Sequence, residues 1–210
     1  VLHHASKPIE DIIYDFRKDL ESRQIPKDDF EFQLKKGSDA LQAFLDSSQA
    51  NFTESDISER DFRPIAINVG EASITGIIDC LRIDRVNKTI DIVDYKTGKS
   101  MSDWKGKSDY EKIKLHKYRQ QLLFYKLMIE STPEFKGYKV ENAELSFVEP
   151  DNNGNINSLN IDWDKDELAR FSKLINIVWQ KIIDGEFFDT SKYEPTYKGV
   201  ISFEKDLLNE

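Results

Sequence analysis

The strongest constraint on how this chain can fold is the stretch SITGIIDCLRIDRVNKTIDIVDYKTGKS, from Ser73 to Ser100. Apolar residues alternate along both of its arms, Ile77, Leu81 and Ile83 on the first and Ile90 and Ile92 on the second, which is the period of a β-hairpin. A turn centred between Val86 and Asn87 sets Asp79 opposite Asp94, whether the loop is tight or one residue longer on each side. Facing Cβ atoms in such a pair lie about 5 Å apart. Because strand side chains alternate, Asp79, Asp94 and then Lys96 fall on the face of those apolar residues. Two carboxylates so placed resist desolvation unless a cation neutralises them, and a divalent metal ion is the economical explanation. Acids solvated at the rim of the sheet, or one of them paired with Lys96, are the plainer alternatives.

At 210 residues the chain is long enough for one large domain. A single domain over residues 1–185, followed by a tail over 186–210, is expected. No apolar run approaches the roughly 18 residues of a membrane span, so no membrane partner is expected. Cys80 is the only cysteine, which excludes an internal disulfide, a cysteine zinc site and an iron-sulfur cluster and fits a reducing cytoplasm.

The net charge of −9 argues against a protein that meets nucleic acid with its whole surface. Locally the balance reverses. From Lys96 to Arg119, eight Lys and Arg stand against Asp103, Asp109 and Glu111, a net +5 that leaves −14 on the rest of the chain. Such a segment suits a phosphate backbone, with Lys99, Lys105, Lys107, Lys117 and Arg119 as candidate contacts and Trp104 as a candidate stacking surface for a base. A solvated lysine-rich loop with a locally packed tryptophan is the competing reading.

The chain opens with Val1-Leu2-His3-His4, without methionine or signal peptide, and reads as a fragment of a longer protein. Helical spacing of Ile9, Ile12, Ile13, Phe16 and Leu20 predicts a first helix, with Ser6 its candidate N-cap. A short helix over 27–36, a break at Gly37 and a third helix from Ser38 to about Ala50 are expected next. Residues 51–61 read as connection, Phe62 to Val69 as a first strand, and Gly70-Glu71 as a tight turn into the hairpin. Residues 97–108 lack periodicity and read as a mobile loop. A long helix from Asp109 to about Ser131 follows, with Gln121 and Tyr125 four apart on one face. Tyr138 to Val148, a turn at Asp151-Asn152-Asn153-Gly154, and Asn155 to Ile161 give two more strands, and a last long helix from about Lys165 to Asp184 stops at Gly185.

Taken together, GIID at 76–79, IVDYKTG at 92–98 and QLLFY at 121–125 resemble the motifs of the PD-(D/E)XK nuclease superfamily, and specifically the RecB-type nuclease domains at the C-terminus of UvrD-like DNA helicases. The similarity runs from His3 to the helix ending near Asp184. The resemblance implies an α/β (α+β) fold, a restriction-endonuclease-like core with a mixed central sheet flanked by helices, in which a crossover helix leads to a strand parallel to part of the sheet. It further implies Mg²⁺ or Mn²⁺ bound by Asp79, Asp94, the Tyr95 carbonyl and a histidine at position 3 or 4. The family's H-x-A-L-E pattern is matched at His3 and Ala5, which favours His3. Lys96 would stand beside the metal as a catalytic group, and Gln121 and Tyr125 would match the Q-L-x-x-Y motif that orients the metal site and the DNA strand. The implied activity is metal-dependent hydrolysis of DNA phosphodiesters, of the exonuclease kind, in repair or recombination, with a helicase motor in the same polypeptide as partner. A nuclease-like module that only binds DNA, or a free-standing repair nuclease, are the alternatives. The iron-sulfur cysteines of some relatives are absent.

Overall fold

The computed structural model describes residues 7–48 and 50–209. Its elements run in the order α1 (Ile9–Ser22), α2 (Lys27–Leu45), β1 (Ile57–Asp61), β2 (Ile67–Val69), β3 (Ala72–Ile74), β4 (Ile77–Asp84), β5 (Thr89–Lys96), α3 (Asp109–Ser131), β6 (Lys139–Phe147), β7 (Ser158–Asn160), α4 (Lys165–Asp184) and α5 (Tyr197–Asn209). Five strands form one sheet in the order β1-β4-β5-β6-β7, and β2 and β3 form a separate ribbon. The main sheet is mixed: β5 and β6 are parallel, joined by the crossover through α3, and its other neighbours are antiparallel. This is the mixed central sheet flanked by helices that the sequence leads one to expect.

The β4–β5 hairpin has the expected register. Ile83 faces Ile90, Leu81 faces Ile92 and Cys80 faces Val93, so the next positions along the arms are Asp79 and Asp94. Burial is nearly continuous rather than alternating, with Ile78, Cys80, Leu81, Ile92, Val93 and Asp94 all buried, because both faces of the sheet are covered. On one side lies α3, whose Leu122, Met128 and Ile129 join the core of Leu81, Ile83, Ile90 and Ile92. On the other side α2 brings Phe44 edge-on to the Tyr95 ring, with centroids 5.8 Å apart.

Three elements differ from the sequence expectation. The two short helices divided at Gly37 are one helix, α2. Gly37 does not break it, because a Cβ there would lie 2.3 Å from the tip of the Phe16 ring; the glycine lets α1 pack closely against α2. The strand expected over Phe62 to Val69 is only β2, and the segment read as connection contains β1 instead. As an edge strand bound on one side only, β1 needs no apolar alternation, and its ISERD sequence shows none. The region read as a tail contains α5, which packs on α3 and α4, with Leu207 buried and Glu204 bonded to His116 of α3, while Phe203 packs against Phe188 and Tyr193 of the segment that leads into it. Ser6, the candidate cap of α1, lies outside the described residues, and Pro8 occupies the cap position. The ends of α3 and α4 fall where expected, α4 closing on left-handed Gly185 (φ 70°). No helix among the described residues is long and apolar enough to cross a membrane.

Candidate active site

The ladder between β4 and β5 ends at Cys80 and Val93. One position further, Asp79 Oδ2 accepts the backbone N–H of Tyr95 at 2.8 Å. The carboxylate thereby replaces a strand partner at the point where the hairpin opens. Asp94, across from it, is 2% exposed, and its Oδ2 lies 2.5 Å from Lys96 Nζ. That contact is an ion pair without the alignment of a hydrogen bond, so the oxygen remains short of a directed donor. Burial pushes the Asp94 carboxyl above its usual range. Lys96 opposes the shift, the charge of Asp79 adds to it, and the Tyr125 hydroxyl opposes it in turn.

Helix α3 closes the site from above. Lys96 Nζ donates to Gln121 Oε1 at 2.8 Å, and Gln121 Nε2 donates to the Tyr125 hydroxyl oxygen at 2.9 Å. The Tyr125 hydroxyl faces the Asp94 carboxylate, so Lys96, Gln121, Tyr125 and Asp94 form one polar cluster around the buried acid. Burial, then the Asp94 charge, pushes the Tyr125 phenol up to about 12, so it keeps its proton as a donor near neutral pH. The spacing of four on a helix brings Gln121 and Tyr125 to the same neighbour, and the parallel register of β5 with β6 holds Asp94 to Lys96 against Leu145 to Phe147 at the sheet's centre.

Whether these groups suit a divalent cation can be judged from the donors present. Two carboxylates converge from facing strands, and a buried oxygen of Asp94 meets only an ammonium in poor alignment. Among the described residues no group of three His, Cys, Asp or Glu converges; His3 lies outside them. One or two carboxylates completed by water and substrate phosphate is a coordination that suits a magnesium-type cation. The donor set therefore fits: Asp79 and Asp94 are the residues that could hold such an ion by charge, with the Tyr95 carbonyl next to Asp94 on β5.

The remaining expected residues are placed differently. Trp104 donates its indole N–H to the Asn160 carbonyl at 2.7 Å and packs on the core, which gives the ring a local structural partner. Arg119 is held by Glu167 at 2.6 and 2.7 Å and ties α3 to α4. Lys117 lines the groove among β3, α3, α4 and α5, with Gln120 and Phe124. Lys99, 77% exposed at its side chain, pairs with Glu111 at 2.9 Å. Lys105 and Lys107 have exposed side chains, while their backbone N–H groups are fixed by Asp103 and Glu111. The loop over 97–108 is thus tethered along its length, its start also by Glu149, which accepts the Gly98 N–H at 2.8 Å and pairs with Lys36 of α2 at 3.0 Å. Burial pushes the Glu149 carboxyl up, but Lys36 and the Gly98 N–H outweigh it and hold it below its usual range. Glu149 escaped the sequence reading because its link to Gly98 exists only through the parallel pairing of β5 and β6.

A β-hairpin that delivers two acids and a lysine to one end, roofed by a helix carrying glutamine and tyrosine, is the arrangement of a nuclease core. The chain belongs to the PD-(D/E)XK nuclease superfamily, whose family model matches residues 2–195. A search of curated proteins gives no match.

Proposed function

We propose that this chain is a Mg²⁺- or Mn²⁺-dependent deoxyribonuclease domain of RecB type, an exonuclease of DNA repair or recombination joined to a helicase motor and working in the cytoplasm. The observation that supports this most directly is that Asp79 and Asp94 stand on facing strands where the hairpin opens, Asp94 against a lysine that Gln121 holds, with Gln121 in turn bonded to Tyr125. A module that only bound DNA would gain nothing from two carboxylates aimed at an anionic strand. His3 is the further ligand proposed from the N-terminal segment.

A bound divalent ion would supply Lewis-acid polarisation of the phosphate and a more acidic water. Asp79 and Asp94 would hold that ion by their charge. Lys96, whose ammonium lies at the carboxylate's edge, would meet negative charge as it grows on the phosphate. Gln121 keeps the ammonium on the helix side of the site, and the Tyr125 hydroxyl, which bonds Gln121, would steady that side chain beside Asp94. Incubating the protein with end-labelled single- and double-stranded DNA, with Mg²⁺, with Mn²⁺ and with chelator, tests the reading. Metal-dependent loss of end label is expected, and intact substrates under every metal condition overturn it.

The exposed lysines of the 97–108 loop are the part of the basic segment proposed to meet the substrate backbone. Neutralising Lys99, Lys105 and Lys107 together is expected to weaken DNA binding and to reduce the slope of log affinity against log salt by nearly one unit per lost phosphate contact. The rate at saturating DNA should persist. Titrations at several salt concentrations measure the slope, and an unchanged slope assigns these side chains to solvated surface.

A further inference from the structure

Lys96 has a third contact that no motif contains. Its Nζ lies 4.5 Å from the centroid of the Tyr118 ring, on α3 one turn before Gln121. An ammonium has three N–H donors. Here oxygens of Asp94 and Gln121 stand at 2.5 and 2.8 Å, and the aromatic face takes the remaining side. The same ring lies 5.6 Å from the Nζ of Lys114, one turn earlier on the helix, so one electron-rich ring attracts two cations.

We propose that Tyr118 is a positioning residue for Lys96, its ring face holding the ammonium at the reaction centre through a cation–π contact. This deepens the nuclease reading and rests on it for its catalytic consequence. Asp94 cannot serve as the lysine's permanent anchor, because its carboxylate is also a proposed metal ligand. Gln121 and Tyr118 are then the contacts that stay with Lys96, and Gln121 alone would leave the ammonium free to turn about one hydrogen bond. A seat made in advance is what a group needs if it is to meet developing charge without reorganising.

Two measurements test the seat. In the metal-free protein, the ε-methylene protons of Lys96 lie near an aromatic face, so their NMR signal, identified by its loss in Lys96→Arg, is expected upfield of ordinary lysines. Tyr118→Leu should return it to the ordinary position, and Tyr118→Phe should keep it. In single-turnover cleavage, Tyr118→Leu should lower the rate roughly three- to thirtyfold, the range of a partly desolvated cation–π contact, with little change in half-saturating DNA; Tyr118→Phe should restore it. Pentafluorophenylalanine at position 118 keeps the ring's shape but removes its attraction for cations, and should be as slow as leucine. The proposal is overturned if the Lys96 signal stays upfield in Tyr118→Leu, or if the pentafluoro ring cleaves as fast as phenylalanine. A protein that cleaves no DNA at all would defeat the nuclease reading, while the NMR comparison would still decide whether the seat exists.

Discussion

Asp94→Asn is expected to reduce metal-dependent DNA cleavage to background while the protein stays folded. Asp94 is the more buried of the two acids and the one beside both Lys96 and Tyr125, so an amide there removes a proposed charged ligand and the partner of the lysine's ion pair together. The same substitution should raise the melting temperature of the metal-free protein. Burial lifts the Asp94 carboxyl above its unfolded value, which means the ionised form is the one the fold disfavours. The sign follows from linkage: the stability associated with Asp94 is fully present below its unfolded pKa and is lost as pH rises through the raised folded one. Melting curves across that acidic range should therefore converge for the two proteins at low pH and separate as pH rises, with the asparagine variant the more stable. Cleavage by Asp94→Asn at the wild-type rate would defeat the mechanism, whatever the melting curves show.

Lys96→Ala should separate binding of the metal from chemistry. The ammonium stands 2.5 Å from Asp94 Oδ2, where it competes with any cation for the carboxylate, so its removal is expected to preserve Mn²⁺ binding or tighten it. Hydrolysis should fall about a hundredfold or more, as for other groups that act on charge developing in the transition state. Calorimetric titration with Mn²⁺ beside a single-turnover assay reads both halves. If Lys96→Ala loses the metal as completely as Asp94→Asn, the lysine is a structural partner of the acid and its catalytic role is wrong.

The acid pair was legible because a hairpin's register follows from its turn, and a period of two then fixes which side chains share a face. Helices α3 and α4 were legible for similarly local reasons, the apolar residues of each run and the Gly185 stop of α4, and the structure adds caps at Ser108 and Asp164 that accept the N–H groups of Glu111 and Glu167. What escaped depended on partners distant in the chain. Gly37 reads as a helix break until Phe16 is seen against it. The strand β1 takes its place from β4 rather than from its own sequence. Trp104 and Arg119 look like nucleic-acid contacts in a basic segment, yet Asn160 and Glu167 occupy them. The helical spacing of Tyr118 and Gln121 was present in the sequence, but nothing marked the tyrosine as a neighbour of Lys96 until the helix was laid across the sheet.

The β4–β5 turn also bears on the order in which the site is assembled. Its arms are joined by residues 85–88 alone, whereas β5 reaches its parallel neighbour β6 only after the whole of residues 97–138. Closing a loop roughly ten times longer costs about 2 kcal/mol more in chain entropy, and isolated hairpins close within about 1–10 μs. The two carboxylates are therefore expected to meet early, in a chain whose α3 has yet to bring Gln121, Tyr125 and Tyr118 over them. Until then they repel each other with only Lys96 and solvent ions to relieve them. Whatever neutralises the pair, a proton or a cation, acts on the folding chain before there is an active site for it to occupy.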